Sequence, residues 1–157
     1  MKFQLPLLAV RDVERSKKFY CELFDQQVVL DFGANVTFSG GFAIQQDFDR
    51  LLDFDESEIV WQSKNMELYF ETENLDEFLE KLTGFPQVKL VHPPKKYDWE
   101  QRVARIFDPD GHIIEIGESM AFVARRLLTE GKTPEETASI TQYPLEFVNA
   151  AANHKIL

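Results

Sequence analysis

Several features that assign a chain to a broad class are scarce or missing in this sequence. Its 157 residues contain a single cysteine, Cys21, so no internal disulfide can form. No apolar run approaches the ~20 residues of a membrane-spanning helix, and the first residues lack the pattern of an export signal. We therefore expect a reduced, cytoplasmic protein that does not enter a membrane.

Positive charge is also scarce. The chain carries 17 lysine and arginine residues against 27 aspartate and glutamate residues, which gives a formal net charge of −10. Such a chain repels phosphate backbones and anionic membrane surfaces. This balance argues against nucleic acid as a partner and favours a neutral or cationic small molecule, or another protein.

The order of apolar runs and turn residues predicts an α+β fold built from two successive β-α-β-β-β units. In each unit a helix follows the first strand, and the two helices have Asp12 and Asn74 as N-caps. The strands are predicted at residues 3–10, 27–32, 35–40 and 41–48 in the first unit, and at residues 65–72, 87–92, 100–107 and 112–118 in the second.

The last part of the chain has a different pattern. It predicts three helices that begin near Ser119, Thr133 and Pro144. We therefore expect one domain over residues 1–118 and a helical extension over residues 119–157.

The most informative segment is FDPDGHIIEIGE, residues 107–118. Its Asp-Pro-Asp-Gly stretch predicts a tight turn between two strands. Glu115 lies between Ile114 and Ile116 in the strand that follows. An acid inside an apolar strand is costly to bury unless it meets a cation, a proton or a hydrogen-bond donor. Glu115 is therefore a candidate functional residue.

This hairpin resembles the last hairpin of the vicinal-oxygen-chelate superfamily, which includes glyoxalases, bleomycin-resistance proteins and extradiol dioxygenases. The segment LAVRDVERSKKFYCELF, residues 8–24, resembles the first strand and helix of that family. The resemblance covers residues 1–118. It implies paired β-α-β-β-β units that form cup-shaped half-barrel sheets, usually completed by dimerisation, around a cavity where a divalent metal chelates a substrate. We therefore expect a homodimer with a small-molecule ligand.

The metal ligands that the resemblance implies are only partly present. The first ligand of the family, usually His, falls on Leu5, which cannot coordinate a metal. Glu67 falls at the second ligand's place and Glu115 at the last, while a further ligand of glyoxalase I members falls at Gln45 or Gln46. Two carboxylates without an imidazole favour magnesium, manganese or calcium over zinc or nickel. We expect no cofactor or a weakly bound divalent cation, with Glu67 and Glu115 as candidate metal ligands and catalytic residues.

Strand alternation assigns further residues to the cavity. Tyr69 shares a face with Glu67, and Trp99, Arg105 and Phe107 share one parity, which predicts an aromatic wall next to a basic residue. The predicted ligand-binding residues are Tyr69, Trp99, Arg105, Phe107, Gln45 and Gln46. Two structural explanations stay open: pairing of the acids with Arg105, and ordinary core packing of the aromatic rings.

The spacing of the last helices resembles a helix-turn-helix, which suggests DNA binding. Its charges argue against that function, because basic and acidic residues balance and leave no basic face. The opposed residues are Arg125, Arg126, Lys132 and Lys155 against Glu130, Glu135, Glu136 and Glu146. A packing role or a dimer-stabilising role fits this composition better.

Three functions remain open at this stage. The first is a bleomycin-resistance-like module that binds a small molecule in an acidic, aromatic-lined cavity with an incomplete metal-ligand set. The second is a divalent-metal-dependent lyase, isomerase or dioxygenase of the glyoxalase type, in which the metal is a Lewis acid. The third is a DNA-binding regulator that acts through the last helices. The sequence thus leaves open whether the protein is an enzyme.

Overall fold

A computed structural model describes residues 1–153 of the chain. Residues 154–157, which include Lys155 of the predicted helical extension, lie outside the described residues. The predicted α+β fold, with two β-α-β-β-β units followed by helices, is confirmed. The chain divides into two compact units, one formed by residues 1–66 and 107–113, and the other by residues 67–106 and 114 onward.

The first unit contains a four-stranded sheet in the order β1-β4-β3-β2 and one long helix, α1. The bounds are β1 Leu7–Ala9, α1 Val13–Phe24, β2 Val28–Asp31, β3 Asn35–Phe38 and β4 Ala43–Gln45. Strand β1 pairs in parallel with β4 and lies at an edge of the sheet, directly after Pro6. This edge position suits Pro6, because a proline cannot donate a ladder hydrogen bond.

Helix α1 begins where the sequence predicts it. The Asp12 side chain accepts a hydrogen bond from the Arg15 N–H at 2.9 Å, as an N-cap does. Tyr20 is fully buried, and its ring packs on those of Phe38 and Phe42 at centroid distances of 5.5 and 4.9 Å. The buried face of the helix consists of Val13, Ser16, Phe19, Tyr20 and Leu23.

The Asp-Pro-Asp-Gly turn anchors α1 within the first unit. Asp108 Oδ2 accepts a hydrogen bond from the Tyr20 hydroxyl at 2.9 Å. The buried carboxylate of Asp110 accepts hydrogen bonds from Arg15 Nη2 at 2.7 Å and from Ser16 Oγ at 3.3 Å. The motif that carries the family resemblance therefore also holds a helix in place.

The acidic segment that follows β4, residues 46–66, is partly helical. It forms the short helix α2, Phe48–Leu52, and a 3-10 turn, Glu56–Glu58. Asp55 caps the turn by accepting a hydrogen bond from the Ser57 N–H at 2.9 Å.

The second unit contains a four-stranded sheet in the order β5-β8-β7-β6. The bounds are β5 Glu67–Thr72, α3 Leu75–Leu82, β6 Leu90–Lys96, β7 Arg102–Phe107 and β8 Ile113–Glu118. Asn74 caps α3 as predicted, since its side chain accepts a hydrogen bond from the Glu77 N–H at 3.1 Å. Along β5 the exposed and half-buried residues alternate, which matches the predicted assignment of its two faces.

The predicted position of β6 was wrong. The strand was expected at residues 87–92, but it runs over Leu90–Lys96 and contains Pro93 and Pro94. The reason is that β6 is an edge strand with register shifts between Leu90 and His92 and between His92 and Lys95. Edge strands and bulges tolerate prolines, because no ladder hydrogen bond is required there.

Three helices follow β8 and belong to the second compact unit. They are α4 Met120–Thr129, α5 Pro134–Thr141 and α6 Leu145–Ala152, with Ser119 and Thr133 as side-chain caps of α4 and α5. Trp99, Ile140 and Phe147 pack on a buried cluster of Met120, Val123 and Leu127. Over residues 1–153, no helix is long and apolar enough to cross a membrane.

Candidate functional site

Two of the predicted site acids meet at one guanidinium group in the second unit. Arg105 Nε donates a hydrogen bond to Glu67 Oε2 at 2.9 Å, and Arg105 Nη2 contacts Glu115 Oε2. The side chain of Glu115 is 12% exposed and that of Glu67 is 39% exposed. Strands β5, β7 and β8 thus each contribute one residue to this cluster. The arrangement matches one of the explanations that the sequence left open, in which the acids pair with Arg105.

Arg105 is also bound to an aromatic residue. Its Nη1 donates a hydrogen bond to the Tyr97 hydroxyl at 2.5 Å, and its guanidinium carbon lies 5.7 Å from the centre of that ring. Burial opposes the charge on Arg105, but the hydrogen bonds to Glu67 and Tyr97 outweigh it, so the pKa of Arg105 is raised. The guanidinium is therefore a fixed positive charge between the two carboxylates.

An open pocket of about 430 Å³ lies next to this cluster within the second unit. Two of its walls come from the sheet, through Tyr69 of β5 and Glu115 of β8. Trp99 adds a third wall and stacks face to face on Tyr97 at a centroid distance of 4.4 Å. The lining residues are Tyr69, Trp99, Gln101, Glu115, Met120, Thr141, Gln142 and Tyr143.

Gln101 holds two of the aromatic walls in place. Its Oε1 accepts a hydrogen bond from the Trp99 indole N–H at 2.9 Å, and its Nε2 donates to the Tyr69 hydroxyl at 3.0 Å. The same Nε2 donates to the Glu118 carbonyl oxygen at 2.8 Å, and Gln101 as a whole is 6% exposed. With both amide protons and the amide oxygen engaged, Gln101 positions the pocket walls.

Gly117 provides the space for this network. It has the same parity as Glu115 on β8, and a Cβ atom at Gly117 would lie 2.7 Å from Gln101 Nε2 and 3.0 Å from Tyr69 Cε2. Both distances are shorter than normal contacts. A side chain at Gly117 would thus displace Tyr69 or Gln101.

Tyr69 stays a neutral phenol over the physiological pH range. Tyr69 is 47% exposed, and the partial burial of its phenol, together with the hydrogen bond that its hydroxyl donates to Glu71 Oε1 at 2.9 Å, raises the pKa of Tyr69 to about 12. The neutral phenol both donates and accepts hydrogen bonds, and its ring face can contact a ligand.

The other predicted site residues are not on this pocket. Gln45 and Gln46 belong to the first unit, where Gln45 Oε1 accepts a hydrogen bond from Asn35 Nδ2 at 2.9 Å and Gln46 Oε1 accepts one from the Val13 N–H at 3.0 Å. Phe107, the last residue of β7, is half-buried and also falls in the first unit. Both glutamines thus have structural hydrogen bonds within their own unit.

The residues present do not fit a divalent metal centre of the kind that the family resemblance implies. Arg105 already supplies a positive charge to both Glu67 and Glu115, and Leu5 offers no donor atom. His112 is engaged elsewhere, with its Nε2 2.8 Å from the Ala9 carbonyl oxygen. Among residues 1–153, no group of three or more His, Cys, Asp or Glu side chains is arranged to hold a metal ion.

Several residues of the pocket were not identified from the sequence. Gln101 and Met120 have no recognisable motif, and Tyr143 lies in the helical extension, for which the sequence favoured a packing role or a dimer-stabilising role. Glu118, 3% exposed, accepts a hydrogen bond from the Arg102 N–H at 3.0 Å. Glu118 is the last residue of β8, between Gly117 and Ser119, so it lacks the apolar neighbours that mark Glu115 in the sequence.

Comparison with known families agrees with this fold. The sequence model of the glyoxalase-like domain matches residues 3–121. Among solved structures, a protein of unknown function from Agrobacterium tumefaciens is 39% identical to the chain, with a TM-score of 0.65 over 76% of this chain and 94% of that one. The chain therefore belongs to the glyoxalase-like domain family, within the vicinal-oxygen-chelate superfamily.

More distant structures share the fold. A glyoxalase/bleomycin resistance protein/dioxygenase family enzyme from Burkholderia phytofirmans is 14% identical, with a TM-score of 0.64 over 73% of this chain and 96% of that one. A lactoylglutathione lyase from Agrobacterium tumefaciens is 17% identical, with a TM-score of 0.55 over 76% of this chain and 95% of that one. No curated protein matches the chain significantly.

Proposed function

We propose that the protein binds a small organic cation in the pocket of its second unit, as a binding module of the bleomycin-resistance type. The observation that carries this proposal is that the carboxylate of Glu115 and the rings of Tyr69 and Trp99 line one pocket. Aromatic faces attract cations, most strongly when the site is partly desolvated. A carboxylate beside them adds charge attraction for the same ligand.

The charge balance around the pocket supports a cationic ligand. Glu67 and Glu115 share the single positive charge of Arg105, so two negative charges against one positive leave a negative remainder. Glu71, hydrogen-bonded to Tyr69, adds a further negative charge nearby. The whole chain, at −10, also attracts cations from solution.

The test compares choline with its uncharged isostere 3,3-dimethylbutan-1-ol, using NMR chemical-shift titrations of the whole protein. Choline is expected to bind more tightly and to shift the Tyr69 and Trp99 resonances. Glu115→Gln should weaken choline binding by about tenfold, because a charge-assisted contact is lost. The matched control is Glu80→Gln, which removes the same charge from an exposed residue of α3. Equal affinity for the two isosteres would overturn the proposal.

The second candidate function is a divalent-metal-dependent lyase, isomerase or dioxygenase. It is favoured by Glu115, which stands at the place of the last family ligand with Glu67 close to the same guanidinium. Elemental analysis of protein purified without a metal-chelating tag tests it. Tightly bound stoichiometric zinc or nickel would favour this candidate over the binding module.

Arg105 allows a sharper test of the same choice. If its guanidinium takes the place of a metal cation, Arg105→Leu frees two carboxylates, and Mn²⁺ affinity should rise. The effect can be measured by Mn²⁺ relaxation enhancement of water protons. Unchanged or reduced Mn²⁺ affinity in this variant would show that Arg105 does not substitute for a metal.

We also propose that the protein is a cytoplasmic homodimer that does not bind DNA. The family resemblance supports the dimer, as does the edge strand β2, which with its flank exposes Val29 at 59% and Phe32 at 72%. Light scattering of wild type and of Val29→Lys tests the dimer, and a monomeric wild type would reject it. Gel retardation of duplex DNA tests the proposal that the protein does not bind DNA. Retardation that weakens sharply with added salt would reject that proposal.

A further inference from the structure

The pocket has a wall that the family domain does not supply. Thr141, Gln142 and Tyr143 line it, and all three lie beyond residue 121, where the match to the glyoxalase-like domain ends. They form the junction between α5 and α6. The helical extension therefore contributes directly to the same pocket as Glu115.

The local structure explains why this junction has a defined shape. Thr141 is 3% exposed and its hydroxyl donates a hydrogen bond to the Thr137 carbonyl oxygen at 2.8 Å. Gln142 ends α5 in the left-handed region, with φ of 61°, so the helix stops there and the chain turns before α6. Tyr143 follows this turn and lines the pocket.

The ring of Tyr143 is held from behind. It packs on Phe147 of α6 at a centroid distance of 4.4 Å, and Phe147 in turn packs on buried clusters formed by α4 and α6. Tyr143 is nevertheless 39% exposed, so part of its ring is available to a ligand. Its phenol is also close enough to contribute to the raised pKa of Tyr69. A supported, half-exposed ring is suited to stack on another flat group.

We propose that the Gln142–Tyr143 turn is the specificity-determining wall of the pocket, selecting organic cations that carry an aromatic group over those that carry only a compact ammonium head. The cationic head lies against Glu115, Tyr69 and Trp99, and the aromatic group packs on Tyr143. This inference rests on the proposed function and adds the ligand class. The pocket volume of about 430 Å³ leaves room for more than an ammonium head.

The test compares benzyltrimethylammonium with tetramethylammonium, by NMR titration of the full chain. Wild type should prefer the benzyl compound. Tyr143→Ala should weaken benzyltrimethylammonium binding by about two- to tenfold, the range of one aromatic contact, and leave tetramethylammonium unchanged. Tyr143→Phe should retain the preference. The matched control is Leu145→Ala, which truncates an exposed apolar residue of α6 outside the pocket lining.

A second variant pair tests the wall without removing a packed ring. Gln142 is exposed, so Gln142→Arg and Gln142→Glu leave the packing of α5 and α6 intact. Gln142→Arg should weaken binding of benzyltrimethylammonium, Gln142→Glu should strengthen it, and added salt should reduce the difference.

One outcome separates this inference from the proposed function. If Glu115→Gln weakens the binding of both cations while the Tyr143 and Gln142 variants change neither, the wall is rejected and the cation pocket stands. If wild type binds neither cation, both are rejected. Loss of benzyltrimethylammonium preference in Tyr143→Ala, with the Leu145→Ala control unaffected, supports the wall.

Discussion

Two acids of the segment 107–118 have different roles in the two compact units, although they are close together in the sequence. In the first unit, Asp110 is fully buried and accepts hydrogen bonds from Arg11, Arg15 and Ser16. In the second unit, Glu115 keeps 12% of its side chain exposed and lines a pocket. An acid whose oxygens are all bound by its own unit stabilises the fold, whereas an acid with an open side can meet a ligand.

The largest expected effect that tests this difference is on stability. Asp110→Ala leaves the buried Ser16 hydroxyl and two guanidinium groups without their acceptor, so it should lower the free energy of unfolding by about 2–3 kcal/mol. Glu115→Gln should cost less than about 1 kcal/mol, because the amide oxygen can still accept from Arg105. Urea denaturation measures both. Similar losses in the two variants would remove the distinction between structural and open acids.

A smaller loss is expected when the phenol that binds the first motif acid is removed. Tyr20→Phe keeps the buried ring and deletes the donor to Asp108 Oδ2, which should cost about 1–2 kcal/mol. The affinity of the second unit for choline should stay at the wild-type value. The control is Tyr97→Phe in the second unit. This variant keeps the aromatic ring and loses the hydroxyl group that accepts a hydrogen bond from Arg105. A variant that unfolds no more easily than wild type would show that the bond is unimportant.

The pH dependence of stability should separate the units further. Burial raises the pKa of Asp108, so the folded form holds the proton more tightly than the unfolded chain. Its contribution to stability is full below the unfolded pKa of about 3.9 and is lost as pH rises through the folded value.

Asp108→Asn removes this dependence. The free energy of unfolding of the variant should therefore improve relative to wild type as the pH rises above about 4. The exposed Asp98→Asn is the control. A difference between Asp108→Asn and wild type that stays constant with pH would contradict the raised pKa.

The smallest effect is spectroscopic and concerns the second unit. With its pKa near 12, Tyr69 should ionise about two pH units above an ordinary phenol. The ionisation is measured as the difference in absorbance between wild type and Tyr69→Phe during a pH titration. Because the folded pKa is raised, stability should fall as pH rises from about 10 towards 12. Far-UV circular dichroism must show that the protein remains folded. A difference step near pH 10 in folded protein would contradict the partial burial and the hydrogen bonding of the Tyr69 phenol.

The features that could be predicted from the sequence are those that depend on neighbouring residues. The caps Asp12, Asn74, Ser119 and Thr133 were found because a cap binds an N–H only two or three residues away. The order of the strands followed from alternation and turns. Strand β6 was misplaced because tolerance of Pro93 and Pro94 depends on its edge position, which only the folded sheet reveals.

The pocket was harder to predict because its residues are distant in sequence. Alternation placed Glu67, Glu115 and Arg105 on related faces, but it could not show that one guanidinium contacts both carboxylates. Tyr143 reaches the pocket only through the packing of α5 and α6, so no local pattern could indicate it. Such contacts depend on tertiary packing, which sequence periodicity does not encode residue by residue.

The two tryptophans of the chain are distributed one to each compact unit. Trp61 lies under the Arg11 guanidinium, 3.8 Å from the ring centre, in the first unit, and Trp99 stacks on Tyr97 in the second. Each indole therefore has its own quenching environment. In Trp61→Phe the remaining Trp99 reports the melting of the second unit, and in Trp99→Phe the remaining Trp61 reports that of the first. Comparison of the two fluorescence melting curves therefore measures whether the two units unfold together.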